Sequence, residues 1–187
     1  SVVRGVEILY VEPADLEGAE AAALASDVAV VAVGDRAGLF GRGTSGEGCD
    51  AVDLRLPGRQ GELVERVLAS GTPVGWVVVS GRPYALGDYA GRCAAVVQAF
   101  MPGEEGGVAL AGVLAGEVNP SGRLPIGIPA HAGGQPGTYL APPLAGHSDG
   151  ISNLDPRPLY PFGHGLGYTT FELSDLAVSA PDLPVDG

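Results

Sequence analysis

Apolar positions along the chain fall into runs of different kinds. Val28 to Gly34 (VAVVAVG) and Pro73 to Ser80 (PVGWVVVS) are continuous and rich in β-branched residues, which predicts strands covered on both faces in a parallel sheet. Ala94 to Met101 (AAVVQAFM) predicts a third strand. Between the first two, Gln60, Leu63, Val64, Val67 and Leu68 recur at helical spacing after Pro57 and before Gly71. That is an amphipathic helix lying on a sheet. Asp15 to Ala25 predicts an Ala- and Glu-rich helix, and Gly103 to Ala115 a small-residue helix with Val108, Ala111 and Leu114 facing inward. Val2 to Tyr10 alternates weakly and predicts a short edge strand. One helical turn is expected before Tyr89. Asn119-Pro120-Ser121-Gly122 predicts a turn leading into a last short strand near Leu124 to Ile128.

Strands separated by helices imply βαβ crossovers. The fold class expected is α/β, a doubly wound three-layer α/β/α sandwich with a mostly parallel sheet, over residues 1–129. Residues 130–167 are rich in Gly and Pro without periodicity, too long for an ordinary connector, and are expected to form a long loop and closing segment on the active-site side. From Tyr168 to Ala177 (YTTFELSDLA) the chain reads as the first strand of a further all-β module, cut short within residues 168–187.

Composition narrows the function. All ten basic residues are arginines, against 22 acids, giving a net charge of -12, so phosphate backbones and anionic membranes are repelled and nucleic acid is a poor partner. No stretch approaches the roughly 20 apolar residues of a membrane span. The lack of lysine is expected from coding bias. Cys49 and Cys93 define neither a disulfide framework nor a metal site, which leaves the redox compartment open between a bacterial cytoplasm and secretion. The start at Ser1, without an initiator Met, is expected of a piece of a larger polypeptide.

The candidate chemistry lies in the loop Gly41-Arg42-Gly43-Thr44-Ser45-Gly46-Glu47-Gly48-Cys49-Asp50, beyond the carboxyl end of a predicted buried strand, where α/β proteins usually keep their sites. Gly41, Gly43 and Gly46 spell the dinucleotide fingerprint, but the motif neither follows its strand at once nor opens a helix. No cofactor is expected. Glu47 is the candidate catalytic residue. Gly46 and Gly48 flank it and allow a hinge, and Asp35, Asp50 and Asp53 crowd it with like charge, which raises a carboxyl toward use as a general acid. Arg82, in Ser80-Gly81-Arg82-Pro83-Tyr84, is expected to pair with an acid such as Asp35 or Asp50 and hold the loop. Glu104 and Glu105 are explained by their place in a helix's first turn. His147, Asp149 and His164 are too scattered for a metal site.

Thr44-Ser45-Gly46-Glu47-Gly48-Cys49-Asp50, Leu54-Arg55-Leu56-Pro57-Gly58-Arg59-Gln60, Ser80-Gly81-Arg82-Pro83, Phe100-Met101-Pro102-Gly103-Glu104-Glu105-Gly106-Gly107, Asn119-Pro120-Ser121-Gly122-Arg123-Leu124-Pro125 and Tyr160-Pro161-Phe162-Gly163-His164-Gly165-Leu166-Gly167-Tyr168-Thr169 follow in this order. Together they resemble the second domain of glycoside hydrolase family 3. The resemblance implies a multidomain retaining exo-acting β-glycosidase, a β-glucosidase or β-xylosidase. It implies an N-terminal barrel, in the same polypeptide or a companion chain, that carries an Asp nucleophile, and a fibronectin-III-like domain starting near Tyr168. By motif position the acid/base is Glu47; Ser80-Gly81-Arg82-Pro83 and Pro161-Phe162-Gly163-His164-Gly165-Leu166 resemble family scaffold, and no catalytic role carries over onto them. Gly46, Gly48, Asp50 and Arg82 are read from the residues themselves as substrate-binding or loop-positioning. The partners implied are a β-linked oligosaccharide or glycoside and the barrel. Cys49 and Ala51 stand where many members carry an aromatic residue and Arg. The reading from another class is a non-catalytic carbohydrate-binding or interaction module of the same fold.

Overall fold

The computed structural model describes residues 5–134, 140, 146, 148–151 and 153–179. Helix α1 (Leu16–Leu24) leads into strand β1 (Ala29–Gly34), and helix α2 (Gln60–Ala69) into β2 (Val74–Val79). The short α3 (Gly87–Ala90) precedes β3 (Ala95–Gln98), and α4 (Gly106–Leu114) follows. The strands pair in parallel in the order β1-β2-β3, with Val31 beside Trp76 and Trp76 beside Val96. This is the α/β fold with a parallel sheet that the sequence predicts.

Local chemistry explains the first two helices. Asp15 caps α1 by accepting from Gly18 N–H at 2.9 Å, and Glu17 sits in the first turn, where the dipole favours an acid. Helix α2 starts at Gln60 rather than Pro57, because Gly58 takes a positive φ of 61° that no helix tolerates. It buries Leu63, Val64 and Val67 as the periodicity predicts. These side chains, with Leu16 and Ala23 of α1, cover Val31, Val33, Val74, Trp76 and Val78. Trp76 is fully buried and meets Tyr89 of α3 edge-on, ring centroids 5.7 Å apart.

Four expectations are corrected. Residues 5–10 form no strand and leave Val6, Ile8, Leu9 and Tyr10 exposed; their alternation finds no neighbouring strand to pair with, and residues 2–4 lie outside the described ones. Strand β1 is covered on one face only, since Val30 is 55% exposed while Val31 and Val33 are buried. Helix α4 buries Gly106 and Gly112, not the Val108 and Leu114 stripe, because no described sheet face packs along that side. Leu124 to Ile128 is no full strand; it runs beside residues 159–164, with a single antiparallel bridge between Ile128 and Tyr160. Leu159 and Tyr160 thereby pack against the core.

Residues 168–179 carry no strand, and Phe171, Leu173 and Leu176 are exposed. The long loop is described in part, and His147 lies outside the described residues.

Candidate active site

The carboxyl ends of β1 and β2 set the geometry. Gly34 closes β1 with a φ of 143°, and a Cβ there would lie 1.8 Å from Val79 O, so only glycine lets the two strand ends approach this closely. Gln60, the first residue of α2, grips the Gly34 backbone from both sides. Its Oε1 accepts from Gly34 N–H at 2.7 Å and its Nε2 donates to Gly34 O at 2.8 Å. Asp35 N–H donates to Val79 O at 2.8 Å. A shallow cleft of about 270 Å3 opens here, lined by Pro13, Ala32, Gly34, Asp35, Gln60 and Val79 among others.

Beyond Asp35 the chain doubles back along itself. Thr44 N–H donates to Arg36 O at 2.8 Å, Gly38 N–H to Ser45 O at 2.9 Å and Phe40 N–H to Glu47 O at 2.9 Å, so the limb carrying Glu47 runs parallel to residues 36–40. The two limbs nearly touch: a Cβ on Gly46, whose φ is 125°, would stand 1.9 Å from Gly38 O. Glycine at this position is what permits the close approach. Glu47 is exposed at the far end, and no described group pairs with its carboxyl. Gly48 also has a positive φ, 71°. Phe40, held at a φ of 55° and 79% exposed, stands on the facing limb.

Arg82 does hold this loop, though not through an acid. Its Nη2 donates to Thr44 O at 2.8 Å and to Cys49 O at 2.5 Å, the two carbonyls that bracket Glu47. Asp35 instead accepts from Tyr84 OH and from Thr44 Oγ1 at 2.8 Å on one oxygen, and from Gly81 N–H at 2.8 Å on the other. Asp53 is engaged by Arg55 at 2.5 Å, which holds its carboxyl below the usual range. Asp35 and Asp53 thus each engage donors of their own. Asp50 is exposed. Burial, then the bond to Asp35, pushes the Tyr84 phenol well above its ordinary value, so it remains a donor. Sequence reasoning missed Thr44 and Tyr84; the cue was a hydroxyl inside the loop and another in the motif after β2.

Other candidates stay apart from this site. Cys49 and Cys93 are both free. His164 stacks on Tyr160 with centroids 4.8 Å apart. Among the described residues no group of His, Cys, Asp and Glu is placed to hold a metal ion, and no helix is long and apolar enough to cross a membrane. Gly41, Gly43 and Gly46 do not open α2, which starts only at Gln60, so the dinucleotide geometry is not formed.

The glycosyl hydrolase family 3 C-terminal domain model matches residues 4–168. The chain belongs to glycosyl hydrolase family 3. Among family 3 relatives, the periplasmic beta-glucosidase of Salmonella typhimurium is 35% identical over 181 residues, covering 92% of this chain and 23% of its own length. A beta-xylosidase of Formosa agariphila is 37% identical over 177 residues, covering 89% and 24%. The crystal structure of beta-glucosidase from Listeria innocua in complex with glucose superposes with a TM-score of 0.74 at 28% identity, over 92% of this chain and 25% of that one. This chain thus spans about a quarter of the length of the relatives it matches, and those proteins contain further domains.

Proposed function

We propose that this chain supplies the general acid/base of a retaining, exo-acting β-glycosidase, a β-glucosidase or β-xylosidase removing terminal β-linked sugars. The observation that carries the reading is Glu47, exposed and without a partner among the described residues, at the end of a loop whose base is tied down by Arg82 and Asp35. It occupies the position of the acid/base in the family motif, and relatives named beta-glucosidase and beta-xylosidase support the substrate class.

Retention requires two carboxyl groups about 5 Å apart, one attacking the anomeric carbon and one protonating the departing oxygen. Glu47 takes the second role, then serves as base toward the water that releases the sugar. The Asp nucleophile belongs to an N-terminal barrel, in the same polypeptide or a companion chain, so the chain alone is inactive. The division that goes with this reading is residues 1–129 as the acid-bearing sandwich, 130–167 as an active-site-side loop and closing segment, and 168–187 as the start of a fibronectin-III-like domain. Gly46, Gly48, Arg82 and the exposed Asp50 bind substrate or position the loop.

The test is chemical rescue in the complete polypeptide. With Glu47→Ala, hydrolysis of an activated aryl glycoside stalls at the glycosyl-enzyme, and added azide restores turnover and yields a glycosyl azide of retained configuration. Unchanged hydrolysis of a poor-leaving-group glycoside, or no azide product, contradicts the assignment. Carbohydrate affinity of the chain without a barrel would favour a binding module instead.

A further inference from the structure

The loop that carries Glu47 is secured by one acid from outside it. Asp35 leaves the end of β1 with its own N–H bonded to Val79 O. Its carboxylate reaches Thr44, three residues before Glu47, and also Gly81 N–H and the Tyr84 hydroxyl in the segment after β2. The Thr44 hydroxyl accepts from Arg36 N–H at 2.8 Å, which commits its own proton to Asp35. Every partner of Asp35 is therefore a donor, the complement of a group that only accepts. Hydrogen bonds to an ionised acceptor are about twice as strong as neutral ones.

One side chain thus joins three segments of the fold, and it grips the limb just before the acid. Arg82 takes the Thr44 and Cys49 carbonyls on either side of Glu47. Between these anchors, Gly46 lies too close against Gly38 for the backbone to swing inward.

We propose that Asp35 is a positioning residue for the acid/base: by fixing Thr44 it aims Glu47 at the leaving-group oxygen without itself touching substrate. The inference rests on the assignment of Glu47 as acid/base. Asparagine at this position keeps the shape but presents an NH2 to at least one of the donors, whichever way the amide turns, so the clamp loosens. Tyr84→Phe removes one donor and leaves the other two in place.

Asp35→Asn, Tyr84→Phe and Glu47→Gln in the complete polypeptide, assayed over β-glucosides and β-xylosides whose leaving groups differ in basicity, separate the possibilities. Misplacing a proton donor by about 1 Å costs on the order of 100-fold. The loss in kcat/KM for Asp35→Asn is accordingly expected at about 10- to 100-fold on alkyl glycosides, which need the proton, and under about 3-fold on a dinitrophenyl glycoside, which does not. Tyr84→Phe is expected to fall between this variant and the parent, and keeps the test decisive if Asp35→Asn does not fold. An equal loss on all leaving groups means a general structural role and overturns the proposal, as does no loss at all. If Glu47→Gln shows the leaving-group dependence and neither clamp variant does, the positioning role falls alone. If Glu47→Gln lacks it, the acid/base reading and the positioning role fall together.

Discussion

Replacing Gln60 by Ala is expected to destabilise the fold by about 2 kcal/mol, a figure that follows from its two bonds to Gly34. The side chain gives one acceptor and one donor to the N–H and C=O of a single residue at the end of β1, at 2.7 and 2.8 Å. Each bond contributes about 0.5 to 1.5 kcal/mol net, and an orphaned buried partner costs about 1 to 3 kcal/mol. Full orphaning of both groups would approach the upper end of that sum. The cleft lined by Gly34 and Gln60 is open, however, so water can reach both groups and the loss settles near the sum of two net bonds. Trp76 is the only tryptophan and is fully buried in the core that α2 covers, so its fluorescence reports unfolding. With a urea m-value of roughly 2 kcal/mol per molar, the midpoint should fall by about 1 M with an unchanged slope. Gln60→Glu adds a sharper requirement: it places a carboxylate oxygen against Gly34 O, so it should cost at least as much as alanine near neutral pH. It should recover part of the loss as acid protonates it into a donor. An unchanged midpoint for Gln60→Ala, or a Gln60→Glu variant as stable as the parent at neutral pH, would refute the two-sided grip.

Other outcomes follow from the same structure. Gly46→Ala meets Gly38 O at 1.9 Å and adopts a φ of 125°; because the strain is confined to the loop, glycosidase activity in the complete protein should fall at least about tenfold while the Trp76 unfolding midpoint moves little. Val64→Ala removes a fully buried side chain under the sheet and should cost about 2 kcal/mol, the transfer of two methyl-sized groups plus a cavity, read by the same denaturation. The Tyr84 phenol is held above its ordinary value by burial and by Asp35. The unfolded chain therefore ionises first, and the stabilisation present below the unfolded value is lost as pH rises above it toward the folded one. Tyr84→Phe should flatten that alkaline decline in a melting-temperature profile, whereas an unchanged decline would assign it to other groups.

What the sequence made legible was whatever depends on local period and local chemistry. The β-branched runs became β1 and β2, the stripe Leu63, Val64 and Val67 became the buried face of α2, and Asp15 became a cap. The exposed loop with Glu47 between glycines was equally local. Less legible were features that require a partner far along the chain. The alternation of Val2 to Tyr10 announces a strand only if an edge is there to receive it, and the apolar stripe of α4 faces inward only if a surface covers it. Gln60 reaches a peptide 26 residues away, and Asp35 meets Gly81 and Tyr84 across 46 and 49 residues. No spacing rule links such positions. Arg82 illustrates the middle ground, because its role in holding the loop was predictable from charge and place. That it grips carbonyls was not, because backbone acceptors exist everywhere in a sequence.

The pH dependence of kcat/KM in the complete polypeptide tests the central claim most directly. A general acid must hold its proton in the free enzyme, so the alkaline limb of the profile should report Glu47 and the acidic limb the nucleophile. Glu47→Gln should erase the alkaline limb and leave the acidic one in place. Retention of both limbs in that variant, with only a uniform drop in rate, would contradict the assignment of Glu47 as the proton donor.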